Sequence, residues 1–375
     1  MASPKIPIAP GGGQAAGEDA SINRIRKTLE TRNGAAPEGQ IWLGDDAAVV
    51  SAPGGGLVLT TDAVVDGVHV DLDLVTLSDL GWKALTAAVS DIGAMGGRPL
   101  WALSTVGFPP EMGSEDLEEL FTGIAEACER FNCRVVGGDL TVAPRLFASI
   151  CVVGTLAALG HDADPRHDGD LGSDGDLGGE GGPGQIRAVT RSGARPGDQL
   201  FVTGPLGGSA AGLRVLRAAA SNPPRSGRAL AAPESTLADL YRRPVARLEE
   251  GWAARVGSQG PRALVRSTGV SAMIDVSDGL SIDLFRLAEA SSVGVRLFDV
   301  PVREGASEVE ALGGGEDYEL VVATSDPEAL VEVFADADLR TPIHIGECTD
   351  DPLERSLRGE SLVRQGWEHP IASER

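Results

Sequence analysis

The sequence predicts a two-domain protein of mixed α and β structure, and three observations lead there. The chain has 375 residues and 42% hydrophobic content, enough to bury two cores. Short apolar runs with strand-like alternation interleave with runs at helical spacing along its length. Residues 160–185 are dominated by Asp and Gly, contain almost nothing that enters a core, and follow a complete strand pattern. The expected division is a Pro/Gly-rich disordered terminus over 1–17, a first domain over 18–158, an acidic insertion over 159–186 and a second domain over 187–375.

In the first domain, Glu18 to Arg32 reads as a helix with Ile22, Ile25 and Leu29 on one face. Ile41 to Val70 then carries two β-branched runs, expected as neighbouring strands joined by a glycine turn at Gly54–Gly56. Asp45–Asp46 opens the first run and Thr60–Thr61–Asp62 ends the second, so facing strand ends would crowd carboxylates. At ~4 Å and an effective dielectric near 20, two such charges repel by about 4 kcal/mol. Hard carboxylate and hydroxyl oxygens in such a cluster suit Mg2+. Ser78 is the expected N-cap of a helix in which Leu85, Val89, Ile92 and Met95 form the apolar face. Asp91 sits beside that face near the helix end, a poor place for an uncompensated carboxylate. Gly96 to Pro99 stops the helix, and WALSTVGF reads as a strand. Ser114 is the expected cap of a helix with Leu117, Leu120, Phe121, Ile124 and Cys128 in one stripe. RVVGGDLT and LFASICVVGTL follow as strands, the first running through Gly138–Asp139.

The second domain opens with a turn at Pro196–Gly197–Asp198 and the strand QLFVTG. Gly207–Gly208–Ser209 begins a helix, and its backbone N–H groups are a weak candidate phosphate cradle that lacks the P-loop pattern. One helical stretch is expected from Ser235 to Val256. Ser271 to Asp275 is a short strand running into a helix at SDGL, where Asp275, Ser277 and Asp278 crowd one turn. Asp278 taken alone is equally explained as a helix cap. Gly313–Gly314–Gly315–Glu316 precedes the strand ELVVAT, and a helix from Pro327 to Phe334, a strand near Pro342 to Ile345 and a tail QGWEHP complete the pattern.

A net charge of −23 excludes binding to a nucleic-acid backbone, which needs a basic face. The acidic insertion lacks calcium-loop spacing, so His161 and His167 inside it are not read as ligands. Cys128, Cys133, Cys151 and Cys348 show neither zinc-ligand spacing nor a disulfide framework and read as reduced thiols. No apolar run reaches the length of a membrane span or of a signal-peptide core, so the expected location is the cytoplasm, away from membranes.

Acidic residues thus recur at five separated element ends: Asp45/Asp46, Thr61/Asp62, Asp91, Gly138/Asp139 and Asp275/Ser277/Asp278. Each has an ordinary structural explanation. Together they point to a multi-metal site assembled from both domains, one that handles nucleotide phosphates through Mg2+ rather than a P-loop lysine.

GDDAAVV, TTDAVVDGVHV, GWKALTAAVSDIGAMGGRP, VVGGDLT, MIDVSDGL and GGGEDYELV occur in this order. They closely resemble the thiamine-monophosphate kinase family of the aminoimidazole-ribonucleotide-synthetase-like superfamily, over roughly residues 20–370 apart from the insertion. The resemblance implies ATP-dependent phosphorylation of thiamine monophosphate to thiamine diphosphate, with several Mg2+ ions. It also implies a homodimer whose N-terminal domains pair into an intersubunit β-barrel, with α/β C-terminal domains outside. By matching position it implies magnesium ligands at Asp46, Thr60, Thr61, Asp62, Asp91, Asp139, Asp275 and Asp278, of which Asp46, Asp62, Asp91 and Asp275 would be catalytic. Asp45 would be a further ligand or would orient Asp46. ATP contacts are implied at Phe121, Gly138, Asp139, Arg191 and Ser277, and substrate contacts at His69, Glu316 and Trp367. Thiazolium is a cation, which suits a carboxylate and an aromatic face. Trp367 is also explicable as a tail residue covering apolar surface.

Two other readings compete. One is another ATP-using member of the superfamily, such as aminoimidazole ribonucleotide synthetase or selenophosphate synthetase; the latter would need a reactive N-terminal residue, and no cysteine precedes Cys128. The other is a non-catalytic acidic metal-binding protein, whose acids would lie on exposed faces rather than interrupt apolar elements.

Overall fold

The computed structural model of the chain describes residues 40–41, 45–52, 55–156, 188–221, 234–257 and 267–369. The expected Glu18–Arg32 helix, the disordered terminus and the acidic insertion lie outside the described residues. Two sheets organise the rest, giving a two-domain, mixed α/β architecture.

The first sheet has five strands in the order β1-β2-β5-β3-β4: β1 Ala48–Ala52, β2 Gly55–Val65, β3 Arg98–Phe108, β4 Arg134–Val142 and β5 Phe147–Thr155. Helices α1 (Leu77–Ala94) and α2 (Ser114–Phe131) cover one face. Strand alternation decides which residues meet them: Val58, Val64, Ala102, Val106, Ala148, Ile150 and Val152 turn inward and are buried. Each fully buried aliphatic side chain of this core contributes roughly 1.5–3 kcal/mol. On the opposite face Trp101 and Leu103 of β3 are exposed, and the outer strand β4 leaves Val136, Leu140 and Val142 exposed as well. Within one chain this sheet is open. The two helices cross at glycines, since a Cβ on Gly81 would lie 2.1 Å from the Leu120 carbonyl and one on Gly123 would lie 1.8 Å from that of Ser78.

The second sheet has seven strands in the order β12-β11-β8-β10-β6-β9-β7. They are β6 Gln199–Val202, β7 Val270–Asp275, β8 Gly294–Leu297, β9 Leu320–Thr324, β10 Ile343–Thr349, β11 Arg355–Leu357 and β12 Glu360–Ser361. Strand β9 is buried at all five positions because both faces of the sheet are covered there. In β9, Val321 and Ala323 join a core with Leu280, Leu284 and Leu287 of α6 (Leu280–Ser291) and Ala311 and Leu312 of α7 (Glu308–Gly313). Leu320 and Val322 of the same strand join a core with Ala253 and Ala254 of α5 (Leu248–Val256) and Leu330, Val333 and Phe334 of α8 (Pro327–Asp336). Ala94 of α1 enters that second core, so the first domain's helix is docked onto the other domain. Two further helices, α3 (Gly208–Ser221) and α4 (Glu234–Arg242), pack beside α7 and α1.

Several local expectations are corrected. Thr76, not Ser78, caps α1: its hydroxyl accepts from Asp79 N and the Asp79 carboxylate accepts from Thr76 N, a reciprocal capping box. Gly113, not Ser114, occupies the cap position of α2, with Asp116 accepting from Gly113 N at 2.8 Å. The single helix expected over 235–256 is two, α4 and α5, because Pro244 removes a backbone donor and restricts Arg243 before it. Thr60–Asp62 and Gly138–Asp139 lie inside strands rather than at their ends. The short elements α7, β8, β11 and β12 carry too few residues for a periodic signal and were not anticipated. Among the described residues, no helix is long and apolar enough to cross a membrane.

Candidate active site

Three carboxylates from three elements converge where the domains meet. Asp46 precedes β1, Asp91 lies in the last turn of α1 and Asp275 ends β7. One oxygen from each falls within 4.8 Å of the others. Like charges at that spacing repel by about 3–4 kcal/mol per pair at an effective dielectric near 20. Asp91 gains nothing from the helix dipole, whose C-terminal end is negative. Burial first, and then Asp275, Asp62 and Asp46, push the Asp91 carboxyl well above the usual range. Burial and Asp46 do the same to Asp275.

Neighbouring hydroxyls and one arginine compensate part of this charge. Thr60 Oγ1 donates to Asp91 Oδ2 at 2.5 Å and Ser90 Oγ donates to Asp275 Oδ2 at 2.5 Å. Arg191 donates to Asp46 Oδ1 at 2.5 Å, and its backbone N–H points to the Asp45 carboxylate at 3.3 Å. Burial opposes the guanidinium charge, but Asp46 and Asp45 outweigh it and hold the Arg191 pKa above its ordinary value. Asp45 also accepts from Asp46 N at 2.9 Å, so it orients its neighbour. Burial and Asp46 raise the Asp45 carboxyl to about 7. Asp46 Oδ2 is buried with no hydrogen-bond partner among the described residues. An orphaned carboxylate oxygen beside two others, all hard donors with excess negative charge, fits a divalent cation such as Mg2+.

Alternation along β2 sorts the next candidates. Thr60 and Asp62 share the inward row with Val58 and Val64, whereas Thr61 is exposed on the opposite face, away from the trio. The Thr61 side chain is therefore not placed as a ligand of this cluster. Asp62 accepts from Ala63 N at 2.7 Å, and burial followed by the charges of Asp278 and Glu316 raises its pKa. Asp62 thus stands between the carboxylate trio and a second group of residues.

That second group surrounds the turn 275–279. Asp278 Oδ2 accepts from Arg286 at 2.5 Å, and the buried Asp283 carboxylate accepts from the backbone N–H groups of Asp278 and Gly279. The Ser277 carbonyl accepts from Glu316 N at 2.7 Å, and Trp367 N donates to the Asp278 carbonyl at 2.9 Å. Glu316 has φ +67°, which lets it follow three glycines into this tight approach. His69 lies 5.3 Å, centroid to centroid, from His369, and His369 lies 6.0 Å from Trp367, both edge-on. His69, Glu316 and Trp367 therefore gather at one end of the site. Val65 N donates to His69 Nδ1 at 3.1 Å, which leaves the proton of the neutral ring on Nε2. Burial and His369 lower the His69 pKa to about 4.

Gly138 and Asp139 do not join the trio: β4 is the exposed outer strand of the first sheet. Only glycine fits at 138, where a Cβ would lie 1.9 Å from the Ser104 carbonyl. Phe121 is half-buried and lines a cavity of about 540 Å3 with Cys128, Asn132 and Val135, between α2 and the start of β4. The suspected phosphate cradle at Gly207–Ser209 is filled from within: Asp317 accepts from Gly207 N at 2.5 Å and from Ser209 N at 3.1 Å. Sequence reasoning overlooked Ser90, Lys83, Tyr241 and His369. Ser90 immediately precedes Asp91, and Lys83 lies in the same motif, so proximity was the available signal.

The family described as AIR synthase related protein matches this chain twice, its N-terminal domain over residues 44–156 and its C-terminal domain over residues 195–357. The thiamine-monophosphate kinase of Aquifex aeolicus is 28% identical over 365 residues, covering 94% of this chain and 98% of that protein. Those of Rhodopirellula baltica and Methanopyrus kandleri are 31% and 33% identical, covering 82% and 81% of their own lengths and 81% and 79% of this chain. The solved structure of AaThiL complexed with AMPPCP and TMP superposes with a TM-score of 0.70 at 28% identity, covering 94% of this chain and 97% of that one. The HypE–HypF complex, at 18% identity and a TM-score of 0.61 over 91% of this chain and 99% of that one, shares the fold alone. By these matches the chain belongs to the AIR synthase related proteins and, within them, to the thiamine-monophosphate kinase family.

Proposed function

We propose that this protein transfers the γ-phosphoryl group of ATP to thiamine monophosphate, giving thiamine diphosphate and ADP. The observation that carries the reading is the arrangement of two groups on either side of Asp62: the Asp46–Asp91–Asp275 trio with Arg191, and the His69–Glu316–Trp367 end. The solved relative complexed with AMPPCP and TMP supports the same pair of ligands.

Asp46, Asp91 and Asp275, with Thr60 and Asp62 beside them and Asp278 on the far side of Asp62, would hold Mg2+; Asp139, apart from this group on β4, would meet a Mg2+-bound nucleotide from that strand. Bound Mg2+ supplies neutralisation of the phosphate charges. The chain's own groups do the rest. A terminal oxygen of thiamine monophosphate is already an anion at neutral pH, so the transfer needs no strong base. That oxygen forms its bond to the γ-phosphorus as the bond to the β,γ-bridging oxygen breaks, and ADP leaves with the electron pair. The Arg191 guanidinium, paired with Asp46 and with its Nε 3.6 Å from Asp45 Oδ1, would bring its charge to a phosphate oxygen. Asp283 fixes the 277–279 turn, and Asp62 sits where the two phosphates would meet. Positioning of this kind is the main catalytic resource for phosphoryl transfer. Phe121 and the cavity it lines suit the adenine ring, with Gly138 and Ser277 toward the nucleotide phosphates. Glu316 and the aromatic rings of His69 and Trp367 suit the cationic thiamine rings.

Exposed Trp101 and Leu103 on the open face of β3, with Val136, Leu140 and Val142 along the outer strand β4, suit a second copy of the chain, pairing sheets into an intersubunit barrel in a homodimer. Leu103→Glu should then give a monomer by sedimentation. ATP supply places the working site in the cytoplasm. The decisive experiment incubates the protein with ATP, Mg2+ and thiamine monophosphate and separates the products. Thiamine diphosphate and ADP in equal amounts support the reading; ADP without thiamine diphosphate would assign the site to another acceptor.

A further inference from the structure

The chain has thirty-two basic residues, and only three of them, Lys5, Lys27 and Lys83, are lysine. Lys83 is on the buried side of α1 with no side-chain exposure. Its ammonium donates to Glu316 Oε2 at 2.9 Å and to the Tyr241 carbonyl at 2.9 Å, and lies 4.0 Å from the centroid of the Tyr241 ring. The Tyr241 hydroxyl in turn reaches the His69 carbonyl at 3.4 Å. A compact ammonium fits between a carboxylate, a carbonyl and a ring face. A planar guanidinium needs more room and a different donor geometry, which is a physical reason for lysine here in an arginine-rich chain.

We infer that Lys83 is a positioning residue for substrate recognition, fixing the Glu316 carboxylate directly and the His69 turn through Tyr241. The inference rests on the reading that Glu316 and His69 face thiamine monophosphate. Lys83 takes one Glu316 oxygen and leaves the other for the ligand. It also supplies the counter-charge that keeps Glu316 in place beside Asp62, which would otherwise repel it. Because Lys83 belongs to the first domain and Glu316 to the second, the same contact sets the domains' alignment at the substrate end. Its separation from the Asp46–Asp91–Asp275 group leaves the nucleotide end to other residues.

The test is a double-mutant cycle read against both substrates. Lys83→Met and Glu316→Gln should each raise the KM for thiamine monophosphate about tenfold, with the KM for ATP changing less than twofold. The double variant should be no worse than the poorer single one, since the two side chains act as one unit. Additive losses, or equal losses for both substrates, would overturn the inference and leave Lys83 as a packing residue. Lys83→Arg should fail to rescue. Should Lys83→Met not fold, the wild-type protein still decides, because its three lysine ammonium signals can be assigned by Lys5→Arg and Lys27→Arg. The Lys83 signal should move on addition of thiamine monophosphate and stay in place with a non-hydrolysable ATP analogue; the reverse pattern would refute the assignment. A wild-type enzyme that ignores thiamine monophosphate would overturn the functional reading itself, and this inference with it. An active wild type with an unaltered Lys83→Met KM would overturn the inference alone.

Discussion

Ser90 of α1 donates its hydroxyl hydrogen to the Asp275 carboxylate of β7 at 2.5 Å, joining a helix of the first domain to a strand end of the second. Asp91, the next residue, meets Thr60 of β2. One turn of α1 therefore carries the contacts that assemble the acidic group from both domains, and the group cannot exist in either domain alone.

Stability and activity should respond oppositely to the loss of one of these charges. Asp91→Asn keeps the volume and removes a like charge from beside Asp275 and Asp46. Turnover at saturating Mg2+ should fall by about 10²–10³-fold, the scale of roughly 3–4 kcal/mol lost when one preorganised electrostatic group is removed. The metal-free variant should melt at a higher temperature than the wild type. Calorimetry in EDTA together with steady-state rates checks both halves; retained turnover or a lowered melting temperature would remove Asp91 from this role.

The same charges set a pH dependence whose sign follows from the direction in which each pKa is displaced. Burial raises the Asp45 and Asp283 carboxyls to about 7, and Asp91 and Asp275 are also raised, from an unfolded value of 3.8. Between about pH 4 and 7 the folded state binds more protons than the unfolded one, so the stability these groups contribute declines as pH rises. His69, lowered to about 4, acts in the opposite direction between pH 6.5 and 4. A pKa that differs by one between the folded and unfolded chain is worth about 1.4 kcal/mol, and four raised acids outweigh one histidine. Mg2+ should relieve the ionised cluster, so its effect on melting temperature should be larger at pH 8 than at pH 5. An equal or larger effect at pH 5 would mean that the ion binds elsewhere.

The sequence made much of this legible because core strands and amphipathic helices carry their periods openly. Asp46, Asp91 and Asp275 stood out as carboxylates breaking apolar elements, and the structure brings these three together. Thr61 stands between two candidate donors in the sequence, but alternation along β2 turns its side chain to the other face, a consequence of where the strand begins and ends. The Gly207–Ser209 turn looked like a phosphate cradle because nothing local reveals that Asp317, far along the chain, supplies the acceptor. Lys83 shares a motif with Asp91, but its burial and its partner 233 residues away are properties of the fold that the motif does not reveal.

Domain alignment should also depend on a glycine remote from the acids. A Cβ on Gly251 of α5 would lie 2.0 Å from the Gly93 carbonyl of α1, two residues beyond Asp91. Gly251→Ala gains helix propensity worth about 1 kcal/mol but forces the helices apart, which typically costs ~1–3 kcal/mol. A modest drop in melting temperature should therefore accompany a larger drop in turnover, since Asp91 moves with the end of α1. Normal turnover with reduced stability would show that the acidic group tolerates the displacement.

Trp367 gives the clearest separation of recognition from chemistry. Its backbone N–H is fixed to the Asp278 carbonyl at 2.9 Å, so the tail is anchored to the turn that carries a proposed metal ligand. Its ring stays 37% exposed and meets His369 edge-on, next to His69. A ring so placed can cover a bound cationic ring system without touching the transferring phosphoryl group. Trp367→Ala leaves the backbone anchor intact, so only the ring is tested. Binding of thiamine monophosphate should weaken by about 1–2 kcal/mol, the scale of a partly desolvated cation–π contact. That corresponds to roughly a tenfold rise in Kd. Affinity for a non-hydrolysable ATP analogue should hardly change, and turnover at saturation should fall less than binding does, as expected for a contact shared by ground and transition states. Titration of both ligands with the variant decides it: unchanged thiamine monophosphate affinity would return Trp367 to covering apolar surface, and weakened nucleotide binding would place its ring at the opposite end of the site.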